Sequence, residues 1–357
     1  MSSARSALPV HGLIAAPMVG ASDLAFRLLC RRHGAELAYT EMLFADRLAS
    51  EQAYRQEVLL SQLHKHDHPL CVQLCGNDAN VLVAAALLVE PHCEMVDLNL
   101  GCPQSRAQQR LEGAFLCEPH LWPRVFGLVR ALVAALTVPV SCKIRLLEGD
   151  SASGLDGVEQ TVRFARGLEA AGCSLLAVHG RRRGKPGKRR QGPADLDAIG
   201  RVKAALTIPV VSNGNVRRAS DVRAALDATH ADGVMVGEAL LAYPALLASN
   251  AEDLPSMAKR RAIAQEYFTL AAEHPPPSIE FVRAHVSWML GKEGRGAERT
   301  FKFARAFPPA AVSEMLRSAT STPELAALVA VLMDTHGGGI CTAAAAPPAP
   351  VNAKRKR

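Results

Sequence analysis

Aromatic side chains are scarce: Phe, Trp and Tyr together make up 4% of the 357 residues. A core of Ala, Leu and Val is therefore expected, which suits an α/β protein better than an all-β one. Paired cysteines are also missing. Nine cysteines occur, at 30, 71, 75, 93, 102, 117, 142, 173 and 341, with no Cys-x-x-Cys pair and no zinc-finger spacing. Structural zinc is thereby disfavoured and no metal site is expected. An odd count without a signal peptide makes reduced thiols in the cytosol or nucleus the default. Long apolar runs are absent as well. No stretch approaches the ~18 apolar residues of a membrane span, so a soluble cytoplasmic or nuclear protein is expected, with a monomer as the starting assumption. Finally, no Gly-x-Gly-x-x-Gly follows the first apolar run, which counts against an open dinucleotide-binding sheet.

Hydrophobic residues nevertheless reach 49%, enough for a large core, and the length fits two domains or a barrel with an appendage. The net charge is +7 and unevenly spread. Residues 181–190, RRRGKPGKRR, hold seven basic side chains, and the terminal AKRKR holds four. Those eleven exceed the total, leaving the remainder about four units net negative. Two concentrated positive patches read as phosphate-binding surfaces, although the tail reads equally well as a nuclear-import signal.

Short apolar runs bounded by turn residues recur along the chain: Leu13–Met18, Leu37–Glu41, Leu70–Cys75, Met95–Leu100, Val138–Leu146, Ser174–His179, Pro209–Asn213 and Gly233–Gly237. Several are continuously apolar, as parallel strands buried on both faces require. Helical patterns lie between them, at Asn80–Val89, Pro119–Leu136, Gly157–Ala171 and Ala219–Asp227. Eight such alternations predict a closed (β/α)₈ barrel over 13–251, after an N-terminal extension of residues 1–12. Beyond it the spacing predicts helices at Met257–Ala272, Ile279–Leu290, Ala297–Phe307, Ala310–Ala319 and 323–335, a helical domain over 252–335. Residues 336–357 are low-complexity and read as a disordered basic tail.

Barrel enzymes carry their reactive groups where strands end. Here the first end is a proline turn, Pro17-Met18-Val19, and the other seven run directly into polar side chains. Lys143 and Arg145 are two apart on one strand and so share a face. A buried pair of cations is costly unless an anion or an electron-rich ring meets it. Flavin mononucleotide (FMN) fits such a set. Lys143 would stabilise the reduced ring near N1 and O2, with Gln73 and His179 hydrogen-bonding ring or ribityl chain. Asn213-Gly214-Asn215 and Gly237-Glu238 follow strands seven and eight, where barrels hold phosphate on backbone N–H groups. Cys102 lies in a Gly-Cys-Pro turn rather than in a packed run such as those around Cys71, Cys142 and Cys173. Its thiol can act as a general acid or, with an activating base, as a nucleophile.

These segments, taken in order, resemble the tRNA-dihydrouridine synthases. The resemblance rests on APMVGASDLAFRLLCRRHGAELAYTEM, CVQLCG, DLNLGCPQ, GAFL, KIRL, VHGR, SNGNV and GVMVGE. DLNLGCPQ followed by GAFL, with the late VGE, is similar to the eukaryotic branch acting on uridines 16 and 17 of the D-loop. The resemblance implies that NADPH or NADH reduces FMN and that an extruded uridine stacks on the flavin, receiving hydride at C6 from flavin N5 and a proton at C5 from Cys102. It further implies that Asn99 and Arg145 hold the uracil edge, that Pro17, Met18 and Val19 belong to the cofactor set, and that the C-terminal helices bind tRNA. Two positions depart from the family pattern. Gly20 stands where many members carry an acidic residue, and Leu196 where a larger side chain is usual. A reductase of a free pyrimidine, or a non-catalytic tRNA-binding protein, would also keep the barrel. The helical domain speaks against the first, and the intact Cys102, Lys143 and His179 against the second.

Overall fold

A computed structural model of the chain describes residues 12–149, 154–184, 192–253, 255–289 and 318–335. Nine parallel strands occur in them: β1 (Leu13–Ala15), β2 (Leu37–Tyr39), β3 (Leu43–Phe44), β4 (Leu70–Cys75), β5 (Met95–Leu100), β6 (Val140–Leu146), β7 (Leu175–Arg182), β8 (Val210–Asn213) and β9 (Gly233–Val236). The pairing runs β2-β1-β9-β8-β7-β6-β5-β4, and β2 pairs β4 to close the ring. The expected eight-stranded barrel is therefore present.

The two-residue strand β3 was not anticipated, and it belongs to the same wall as β2. Tyr39 pairs Cys71 and Leu43 pairs Leu74, so this wall carries one residue more than β4 across the gap. The extra residue makes a bulge at Thr40–Met42. There the Thr40 hydroxyl accepts from the Gln73 backbone N–H at 3.2 Å, standing in for a ladder carbonyl. Strand β7 also exceeds its expected end, so Arg181 and Arg182 belong to the sheet. Only residues 185–190 of the basic segment, with Gln191 after it, lie outside the described residues.

Alternation along each strand divides the core. Inward residues such as Ile14, Tyr39, Cys71, Met95 and Val211 fill the lumen, and outward ones pack under the helices. Four helices that follow barrel strands begin on an aspartate cap. Asp23, Asp78, Asp156 and Asp195 each accept from a backbone N–H of the first turn, and each thereby fixes where its helix starts.

Past the barrel, helices span Met257–Glu273, Ile279–Met289 and Thr322–Thr335. Their apolar faces share one core with the barrel's first helix, Leu24–Arg32, through Phe26, Leu29, Tyr267, Val286 and Leu325. The helices expected at 297–307 and 310–319 lie outside the described residues but for Ser318 and Ala319, as do 1–11 and 336–357. Among the described residues no helix is long and apolar enough to cross a membrane.

A buried ionic knot ties the loop before β4 to the first helix. Asp67 receives Arg27 Nε and Arg31 Nε, each at 2.7 Å, and Arg27 and Asp67 are almost wholly buried. Arg27 also donates to the Ser22 and Gln62 carbonyls at 2.6 Å. Removing one partner from such a knot strands the other charge away from water. Asp67→Ala is expected to lower stability by about 3–5 kcal/mol. Urea unfolding checks this, and an unchanged midpoint would contradict it.

Candidate active site

One cavity of about 640 Å³ opens at the C-terminal ends of the strands. Every residue singled out from the sequence borders it: Pro17, Met18, Val19, Gln73, Asn99, Cys102, Lys143, Arg145, His179, Asn213, Gly214, Asn215, Gly237 and Glu238. Strand register explains the convergence. Asn99 pairs Lys143, Arg145 pairs His179, and His179 pairs Asn213, so neighbouring strands deliver these side chains to one rim.

The floor is a hydrogen-bonded relay rooted in Asp97, which is fully buried. Asp97 Oδ1 accepts from Ser141 Oγ at 2.6 Å and Oδ2 from Gln73 Nε2 at 2.8 Å. A carboxylate only accepts, so Gln73 must turn its amide nitrogen toward it. Gln73 Oε1 then accepts from Asn99 Nδ2 at 2.8 Å. Asn99 Oδ1 is left to accept the backbone N–H groups of Gly101 and Cys102, at 3.1 and 2.9 Å. The relay thus fixes the turn that carries Cys102. Gly113 of the GAFL segment presses on the same turn at φ 58°, where an added Cβ would sit 2.8 Å from the Cys102 carbonyl oxygen. Cys102 is half-exposed, whereas the other seven cysteines among the described residues are buried.

Lys143 and Arg145 both reach the cavity. Lys143 Nζ donates to Asn213 Oδ1 at 3.1 Å, and Asn213 Nδ2 donates to the Met235 carbonyl at 2.8 Å. Burial pushes Lys143 down to about 8, the charge of Arg145 pushes the same way, and Asp97 opposes them. Arg145 is lowered to about 10 by burial and then by Arg181. Its Nε is anchored on the Gly101 carbonyl at 2.8 Å. Burial lifts Asp97 to about 6, against the hydrogen bonds from Ser141 and Gln73 and the charge of Lys143. The wall therefore offers N–H donors and cations, the complement of an electron-rich or anionic ligand.

Directly after Asn213, the partner of Lys143, Gly214 (φ 124°) and Asn215 (φ 62°) make a turn. A Cβ on Gly214 would meet the Ala194 Cβ at 2.7 Å, so only glycine fits beside that loop. Asn215 exchanges hydrogen bonds with the Ala194 backbone, at 2.7 and 2.8 Å.

Three contributors were not singled out from the sequence. Arg181 lines the cavity, with Nη2 3.1 Å from Asn215 Oδ1 and Nη1 3.1 Å from His179 Nε2. It was grouped with the basic loop, yet it lies two residues after His179 on β7 and so shares its face. Asp97 sits two before Asn99 on the same wall, and the same alternation would have found it. Thr40 acts through the bulge, for which the sequence carries no plain signal. Among the described residues no cluster of His, Cys, Asp and Glu could hold a metal ion.

Comparison with known proteins follows this geometry. The family model described as dihydrouridine synthase matches residues 13–301. A Rattus norvegicus protein named tRNA-dihydrouridine(16/17) synthase-like, with NAD(P)(+) in its name, is 41% identical over 273 residues, which are 76% of this chain and 58% of the rat protein. The tRNA-dihydrouridine(16/17) synthase of Saccharomyces cerevisiae is 38% identical over 268 residues, covering 73% of this chain and 60% of its own. The chain thus spans under two thirds of the length of these curated relatives. A solved 2-naphthoyl-CoA reductase, in complex with 2-naphthoyl-CoA, shares the fold at a TM-score of 0.50 and 11% identity, covering 66% of this chain and 49% of that one. With the family match across most of the chain and this identity to curated relatives, the chain belongs to the dihydrouridine synthase family.

Proposed function

We propose that the chain reduces a uridine of the tRNA D-loop, at position 16 or 17, to 5,6-dihydrouridine, using FMN and NADPH or NADH. The observation that carries this reading is the meeting of a half-exposed thiol, Cys102, with a half-buried cation, Lys143, in one donor-rich cavity.

The residues present fit FMN. A volume of about 640 Å³ is in the range of cofactor sites. Lys143 is a half-buried ammonium whose charge an electron-rich ring edge would relieve. Gln73 and His179 supply polar contacts, Pro17, Met18 and Val19 wall the cavity, and the Gly214–Asn215 and Gly237–Glu238 turns offer backbone to a phosphate. Bound there, FMN would supply the two-electron reduction and NAD(P)H the electrons that renew it.

The chain's own residues do the rest. Asn99 has its oxygen committed to two backbone N–H groups and one amide hydrogen to Gln73, which leaves its second amide hydrogen to donate to a ligand. Arg145 can only donate as well. Together they suit the carbonyl edge of uracil. Cys102, held by the relay from Asp97, is the group to deliver a proton to C5. The base has to leave its stack to enter such a cavity, which an RNA loop allows at low cost. The helices from 257 to 335 are the proposed docking surface for the tRNA body. Arg260 is no part of that surface, since it is buried and donates to the Ala242 carbonyl. Arg283 is held by Glu280 and the Ala319 carbonyl. Arg295, Arg299 and Lys302 lie outside the described residues.

Cys102→Ala is expected to cut dihydrouridine formation about 100-fold or more while the protein stays yellow and still oxidises NADPH. Mass mapping of dihydrouridine in tRNA measures it, and wild-type turnover would remove the proton-donor role. Lys143 loses its proton as pH rises through about 8. FMN affinity is therefore expected to fall by up to about tenfold from pH 8 to 9, and Lys143→Met to be weak and pH-independent. Fluorescence titration reads both, and a flat wild-type profile counts against the assignment. Asp97→Asn, which takes the charge from the root of the relay, is expected to weaken FMN about tenfold with the fold intact. An unchanged affinity would show that the relay does not set the cavity.

A further inference from the structure

His285 lies far from the cavity in sequence and in the helical layer, yet it is bound to the barrel by one polar contact. Its ring is fully buried, and Nε2 stands 2.8 Å from Asp23 Oδ2, which is buried as well. Phe26 stacks on the imidazole with centroids 4.5 Å apart, Tyr267 lies at 4.7 Å, and Trp288 meets it edge-on at 5.3 Å. Among the described residues Nδ1 has no partner, so Asp23 is the ring's single polar attachment. A histidine that served only to fill space would be replaceable here by an apolar side chain, and burying its polar edge costs free energy unless the bond is made.

Asp23 stands where this matters. Its Oδ1 caps the helix Leu24–Arg32 by accepting from Phe26 N at 3.1 Å. The residue before it, Ser22, ties down the cavity rim. Ser22 Oγ accepts from Met18 N at 2.9 Å and donates to the Ala16 carbonyl at 3.2 Å. The Met18 carbonyl accepts from Ala21 N and Ser22 N at 3.1 and 3.0 Å. The rim turn bordering the cavity therefore ends on the carboxylate that the C-terminal helix holds.

We propose that His285 is a positioning residue for the cavity: through Asp23 it fixes the turn Ala16–Ser22, and so couples the C-terminal helical layer to the cofactor wall. The coupling runs through a directional bond rather than through bulk packing. Its consequence for cofactor binding rests on the FMN reading above, whereas the structural part does not.

Two variants keep size and remove the bond's character. Asp23→Asn preserves a capping oxygen but sets an amide against the imidazole, and His285→Leu keeps a side chain of similar volume without a donor. Val286→Ala, a cut in the same buried core one residue away, serves as the packing control. In the full, cofactor-free chain, hydrogen exchange of the Met18–Ser22 amides is expected to speed up about tenfold in both test variants. FMN should bind them about fivefold more weakly. Val286→Ala should lower the melting temperature without either effect. Unchanged exchange in both test variants overturns the proposal, as does an equal acceleration in Val286→Ala. A wild-type chain that binds no FMN would defeat the cofactor reading alone, because the exchange measurement still decides the coupling.

Discussion

A single carboxylate out of reach of water governs the mouth of this barrel. Asp97 can be kept charged only by the donors around it, and those donors are the side chains that matter. Ser141 and Gln73 bond it directly, and Lys143 stands close enough to feel its charge. Because the carboxylate accepts on both oxygens, it dictates which way the Gln73 amide points, then the Asn99 amide, then the backbone of Cys102. Orientation is thus passed along four groups with no freedom to invert. The backbone N–H groups of Gly101 and Cys102 impose the same sense from the other end, so both amides are held between partners that cannot turn. What distinguishes this cavity from a merely polar one is that it presents donors in a fixed sense, and this follows from a residue that does not itself border it.

Much of this was legible in the sequence, for a reason that can be stated. Parallel strands buried on both faces leave continuous apolar runs, and the chain changes character abruptly where each strand meets the mouth. The runs 70–75 and 95–100 match β4 and β5 residue for residue. The residues after the apolar runs then had to face one cavity. What escaped was register-dependent. Arg181 was masked by its basic neighbours, although Arg182 points away and contacts Glu148 at 3.7 Å, as alternation requires. The bulge between β2 and β3 depends on a threonine hydroxyl replacing a ladder carbonyl, and no propensity scale reports such a substitution. The relay needs Gln73, Asp97 and Ser141 abreast, a fact of strand stagger rather than of any local pattern.

The C-terminal helices show the same limit. Periodicity located three of them, and the family resemblance implied that they bind tRNA. Packing assigns their basic residues unequal roles. Arg260 spends its guanidinium on the Ala242 carbonyl inside the interface. Arg283 closes a local pair with Glu280. His285, packed against Tyr267, makes the contact with Asp23 beside the rim turn. The same helices share one buried core with the first barrel helix through Phe26 and Leu29.

Electrostatics explains why such restraint is needed. Lys143, Arg145 and Arg181 crowd one wall, and each lowers the proton affinity of a neighbour or has its own lowered by burial. Gathering cations in a partly desolvated mouth is unfavourable in the empty protein. The barrel holds them there because each is tethered through an oxygen of the chain: Asn213 for Lys143, the Gly101 carbonyl for Arg145, Asn215 for Arg181. These tethers are neutral dipoles, so they orient the charges without cancelling them. Asp97 offsets part of the Lys143 charge, and the remaining compensation is left to whatever enters. A ligand with an electron-rich edge and a phosphate would collect it at two ends of one cavity. A free pyrimidine, without a phosphate, would meet only part of the field.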